Sequence, residues 1–125
     1  MTAGRSPLQR GAVYLCQIQL PNRSGTGPVS RALDKLLVVL QGGPPFADCS
    51  EVAVVVASTW RRGSPRPFEV VMGTADGFLH DTVVDCRWPY TLPKAQVVSG
   101  RHMFTLPSTR MHQLSLALVR GLQLS

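Results

Sequence analysis

Acidic residues are scarce in this chain and its two ends have none, since all 7 Asp and Glu fall between Asp34 and Asp85. Against 13 Lys and Arg they leave a formal net charge of +6 and a sequence pI of about 10.1. That imbalance points to an anionic partner, although a moderate basic excess also serves solubility. Cysteine is sparse too. Cys16, Cys49 and Cys86 are odd in number and widely spaced, and they form no CxxC pair and no metal-ligand cluster with His80, His102 or His112. A disulfide or zinc scaffold is not expected. No apolar run approaches the roughly 18 residues of a membrane span, and residues 1–15 lack the apolar core of a signal peptide. A cytoplasmic, reduced protein without membrane contact is the expectation. P-loop, GxGxxG, HExxH and GxSxG patterns are all absent, so the enzyme classes they mark lose their support, and no cofactor or metal is expected.

What the sequence does contain is centred on Lys35–Trp60. Two strand-length apolar runs, Leu36–Leu40 and Val52–Ala57, flank a loop containing Gly42, Gly43, Pro44 and Pro45. This reads as an antiparallel hairpin. With Gln41 across from Val52, Lys35 lies opposite Ser58, and opposed residues share a face with Cβ atoms about 5 Å apart. A one-residue slip substitutes Thr59 for Ser58. A cation and a hydroxyl then meet at one end of a rigid hairpin, a suitable place to hold a phosphodiester. A solubilising strand end followed by a turn explains the same residues.

At 125 residues the chain suits one domain. We expect a flexible leader over 1–10 and a single domain over 11–125. Ala12–Leu20 reads as a strand ending at Pro21, and Asn22–Ala32 as a long basic loop carrying Arg23 and Arg31. Residues 61–67 form a second basic loop, bringing Arg61, Arg62 and Arg66 to the hairpin end that holds Lys35. Phe68–Met72 and Asp81–Trp88 read as strands, Leu92–Lys94 as a short helical turn, and Val97–Phe104 as one bent strand or two short ones. Leu114, Ala117, Leu118, Gly121 and Leu122 recur at helical spacing after a start at Pro107 and Ser108 or Thr109. The sum is mainly β (α+β): a small, SH3-like, partly closed antiparallel barrel with a C-terminal helix. Asp81 and Asp85 read as structural, with Arg87 as a salt partner, and the three histidines as surface residues. Trp60 and Trp88 are candidate base-stacking platforms, with core burial the alternative.

Arg10–Tyr14, Lys35–Gln41, Ala57–Thr59, Pro67–Val71, Asp81–Val84, Thr91, Lys94 and the Leu-rich terminal helix together resemble, in order and spacing, the MazF/PemK family of toxin–antitoxin endoribonucleases. The resemblance covers nearly everything after Arg10. It implies a homodimer that cuts single-stranded RNA without a metal, through attack of the ribose 2′-hydroxyl, and that is silenced by a cognate antitoxin with an acidic tail. It further implies that Lys35 stands where the family has its catalytic Arg, and that Ser58, or Thr59 if the alignment slips by one, stands where the family has a phosphate-holding Thr. Arg23, Arg31, Arg61, Arg62, Arg66 and Trp60 are then the RNA-gripping residues. The chain departs from the pattern at Lys35, at Ala12 in place of Asp and at Tyr90 in place of Arg. Lys35 supplies a compact ammonium instead of a two-pronged guanidinium. Two other readings stay open: a degenerate family member that binds RNA or an acidic antitoxin peptide without cutting, and a protein-binding toxin akin to the gyrase poisons.

Overall fold

The computed structural model describes residues 8–21, 30–60 and 63–124, without the side chains of residues 20, 21, 30 and 31. Strands β1 (Ala12–Pro21), β2 (Ser30–Val39) and β3 (Glu51–Thr59) are followed by β4 (Glu69–Met72), β5 (Thr82–Asp85), β6 (Tyr90–Pro93) and β7 (Arg101–Thr105). Helix α1 (Lys94–Val98) lies between β6 and β7, and α2 (Ser108–Gly121) closes the chain. All pairings are antiparallel. The sheet runs β4-β5-β3-β2-β1-β7, with β6 also paired to β3, and curls into a half-barrel. No helix among the described residues is long and apolar enough to cross a membrane.

Continuous apolar runs, rather than alternating ones, make β2 and β3 because both faces of the sheet are covered. On one face Val13, Val38, Val55, Ala57 and Val84 pack under Met111, Leu114 and Ala117 of α2. On the other, Ala12, Cys16, Ile18, Leu37, Val39, Val52 and Val54 pack with Val97 of α1. Successive residues of one strand thus enter different cores. Leu37, Val38 and Val39 are each fully buried, so a one-residue slip would exchange the two cores and expose neither. What fixes the register is the shape of each layer and the polar strand ends.

Several boundaries differ from the sequence reading. The strand expected from Lys35 begins at Ser30, because Ser30–Asp34 pair with Gln17–Pro21 of β1; of the loop placed at Asn22–Ala32, residues 22–29 lie outside the described residues. The helical turn expected over Leu92–Lys94 is the end of β6 followed by α1, and Val97 and Val98, read as strand, are helical. Their β-branched preference yields to tertiary packing, since Val97 is fully buried in the second core. The strand read over Asp81–Trp88 is shorter, running from Thr82 to Asp85 as β5. In the segment read as a leader, Leu8 is buried and the Arg10 guanidinium donates to the Met111 carbonyl at 3.4 Å and to the Ser115 hydroxyl; residues 1–7 lie outside the described residues.

Candidate nucleic-acid interface

Strand β3 carries β2 along one edge and two different strands along the other. Ala57–Thr59 pair with Val84–Thr82 of β5, and Glu51–Val54 pair with Pro93–Tyr90 of β6. The turn from β5 to β6 therefore bridges a gap in the ladder at Val55 and Val56. Beside that gap is a cavity of about 190 Å³ lined by Lys35, Val56, Ser58, Asp85, Trp88 and Tyr90. Leu36 pairs with Ala57 and Leu37 with Val56, so Lys35 comes level with Ser58 one step further along. Both point to the face of Leu37 and Val54, and both line the cavity. Alternation sends Thr59, paired with Thr82, to the opposite face.

The cavity wall beyond Ser58 is held by one guanidinium. The Arg87 Nη2 donates to Asp85 Oδ2 at 2.8 Å, its Nε lies 3.2 and 3.3 Å from the two carboxylate oxygens, and its backbone N–H donates to Oδ1 at 2.9 Å. The same guanidinium carbon stands 4.4 Å from the Phe68 ring centroid and 5.3 Å from that of Trp88. Planar guanidinium groups suit such stacked, two-pronged contacts. Trp88 is nonetheless 46% exposed. Between Asp85 and Arg87 the Cys86 side chain turns inward, and burial, helped by the Asp85 charge, pushes its thiol pKa up to about 12. It is a neutral packing group and not a nucleophile. Arg87 as the partner of Asp85 was foreseen; the convergence of Asp85, Trp88 and Tyr90 on Lys35 was not.

The other sequence candidates are placed differently. Arg66 is exposed, its backbone N–H donating to Glu69 Oε1 at 2.8 Å and its guanidinium 6.0 Å from the Phe68 ring, and it does not line the cavity. Trp60 is half-buried just past β3, with its backbone N–H donating to the Asp81 carbonyl at 3.0 Å; Trp88 and Tyr90, not Trp60, are the aromatic residues at the cavity. Arg23, Arg61 and Arg62 lie outside the described residues. Arg31 is in β2, but its side chain is not described. Among the described residues no three His, Cys, Asp or Glu gather as a metal site.

This half-barrel, with its split partner strands and terminal helix, matches solved structures over nearly its whole length. An endoribonuclease from Mycobacterial species is 22% identical with a TM-score of 0.70, over 96% of this chain and 95% of that one. The toxin MazF-mt6 of Mycobacterium tuberculosis is 19% identical with a TM-score of 0.68, over 91% and 98%. The chain has the MazF fold. A Mycobacterial endoribonuclease solved in complex with its cognate antitoxin is 25% identical with a TM-score of 0.67, over 93% of this chain and 95% of that one. No family model matches the sequence, and no curated protein matches it either. Within the MazF fold, low identity and near-complete coverage mean that the architecture is retained while most side chains differ.

Proposed function

We propose that this chain is the toxin of a type II toxin–antitoxin pair and an endoribonuclease that cleaves single-stranded RNA without a metal. The observation that carries the reading is the meeting of Lys35 and Ser58 in one cavity, on a fold whose neighbours are endoribonucleases. RNA cleavage by the ribose 2′-hydroxyl forms the O2′–P bond as the hydroxyl gives up its proton to water, breaks the P–O5′ bond and leaves a 2′,3′-cyclic phosphate and a 5′-hydroxyl. Charge accumulates on the non-bridging oxygens on the way. An ammonium and a hydroxyl fixed on adjacent strands stabilise that charge without having to reorganise. Lys35 also has a proton to give to the departing O5′, which a carboxylate or neutral amide lacks. Ser58 donates to a phosphate oxygen from the same face.

The remaining roles follow from charge. With +6 overall, Arg23, Arg31, Arg61, Arg62 and Arg66 track the RNA backbone, and an antitoxin with an acidic tail silences the toxin by occupying the same groove. We take the working form to be a homodimer in the cytoplasm, as C2 pairs are the commonest closed assemblies. Incubation of the purified chain with unstructured RNA, with and without chelator, followed by end analysis, tests the reading. Chelator-resistant products ending in cyclic phosphate are expected. Intact RNA under all conditions would leave a binding protein on a nuclease fold.

A further inference from the structure

Lysine is even scarcer in this chain than acid. Of its 13 basic side chains only Lys35 and Lys94 are lysines. An amine and a guanidinium share a charge but not a chemistry: arginine keeps its proton in a protein, whereas lysine can lose one and become a nucleophile. Stable acyl transfer to a side-chain nitrogen is therefore open to two residues. Both are half-buried, so exposure alone does not separate them. Their surroundings do. Lys94, the first residue of α1, donates to the Phe46 carbonyl. Lys35 instead lines the 190 Å³ cavity with Ser58, and the Asp85 carboxylate on the same cavity is paired with the Arg87 guanidinium, so it does not cancel the charge that Lys35 offers an anion.

We propose that Lys35 is an acylation site, and that a small acyl phosphate, seated in the cavity by its phosphoryl group, switches the site off by acylating Nζ. The inference rests on the reading of this cavity as one that holds phosphate. Ser58 donates to the phosphoryl oxygens of the acyl donor as it does to those of RNA, and this sets the acyl carbon beside Nζ. The step balances without a further reactant. Lys35 gives one ammonium proton to water; Nζ then bonds the acyl carbon, the bond from that carbon to the phosphate oxygen breaks, and the departing phosphate takes a second proton from the nitrogen. What remains is a neutral amide. It has neither the charge that stabilises a phosphate nor a proton acidic enough for a departing O5′.

Peptide mass spectrometry of the unaltered full chain, treated with acetyl phosphate, reads the two lysines separately and needs no RNA cleavage. Acetylation is expected at Lys35 at least about tenfold faster than at Lys94, a small part of the gain that holding two reactants together can give. The N-hydroxysuccinimide ester of acetic acid, which carries no phosphoryl group, should treat the two lysines about alike. A DNA hexamer lacks the 2′-hydroxyl and cannot be cut by this chemistry; added at about ten times its Kd, it should slow acetylation of Lys35 about tenfold by occupancy alone. Ser58→Ala, shown by a thermal melt to fold, should lower the preference for Lys35 about fivefold, the scale of one hydrogen bond. In a protein that cuts RNA, the acetylated form should be about 100-fold slower or more, and acetylation should silence Lys94→Arg to the same extent. Equal rates at the two lysines, the same preference from both reagents, no protection by the hexamer, or an acetylated Lys35 in a protein that still cuts at its full rate would overturn the site. RNA cleavage together with an unreactive Lys35 would overturn this inference alone, whereas selective acetylation of Lys35 in a protein that cuts nothing would overturn only the nuclease reading.

Discussion

Gly121→Ala sets helix preference against packing, and the structure decides which wins. Gly121 is the last residue of α2, where the helix meets the Cys86–Arg87 turn between Asp85 and Trp88. A Cβ built there would stand 2.8 Å from the Cys86 carbonyl oxygen, 3.0 Å from its carbon and 3.1 Å from the Arg87 nitrogen. All three are backbone atoms and none can swing aside. Restoring the 3.4 Å of ordinary contact from 2.8 Å requires a retreat of about 0.6 Å by the helix end or the turn. Overpacking of this kind costs about 1–3 kcal/mol. Replacing Gly by Ala inside a helix gains at most about 1 kcal/mol, and less at a terminus. We therefore expect a net loss of about 1–2 kcal/mol, which for a domain of this size lowers Tm by about 4–8 °C. Circular-dichroism melts of the two proteins measure it. An unchanged or raised Tm would refute the close approach of α2 to the Cys86–Arg87 backbone, and with it the account of how the cavity wall is held.

Three shorter expectations accompany it. Ser58→Ala should slow RNA cleavage by about tenfold or more and Thr59→Ala should leave it near the unaltered rate, since only Ser58 shares Lys35's face; the reverse order in single-turnover assays would contradict the register. Asp76 accepts from Arg110 at 2.9 and 3.1 Å, and this bond holds its carboxyl below the ordinary aspartate pKa of 3.8. Because the folded pKa is the lower one, the stability it adds is whole above the unfolded value and is lost as pH falls through the folded one. Arg110→Ala should thus cost about 2 kcal/mol at pH 7 and progressively less below about pH 4, checked by urea melts at both pH values. Binding of single-stranded RNA should weaken with salt at a log–log slope of roughly −0.7 per phosphate contacted, and a flat salt titration would remove the basic groove from the account.

How far the sequence carries can be followed strand by strand. The pairing of Lys35 with Ser58 was legible because a strand's two-residue period, plus one assumed opposition at Gln41 and Val52, fixes every other pair in the hairpin; the structure keeps that register, with the Leu40 N–H bonded to the Ala53 carbonyl at 2.9 Å. The terminal helix was legible because its apolar spacing is strong, and the half-barrel followed from strand count and from the resemblance. Strand β6 was not legible, since Tyr90–Pro93 is short and ends in proline, and it pairs with a segment of β3 some forty residues earlier. The cavity wall was hidden for the same reason. Asp85, Trp88 and Tyr90 reach Lys35 only because β5 and β6 divide one edge of β3 between them, a long-range fact that no local pattern encodes. The cluster of charge and aromatic rings from Asp85 to Tyr90, stopped by Pro89, was the available signal, and it suggested a strand end without saying where that end lies.

The central claim is that the Lys35 ammonium stabilises the charge that develops on phosphate. Single-turnover cleavage of an unstructured RNA by the unaltered chain, Lys35→Ala and Lys35→Arg, with binding of an uncleavable analogue measured in parallel, tests it most directly. The account predicts a loss of about 100-fold or more in rate for Lys35→Ala with little change in binding, and a rate kept or raised for Lys35→Arg. A Lys35→Ala protein that folds, binds RNA and cuts it at the unaltered rate would contradict the account.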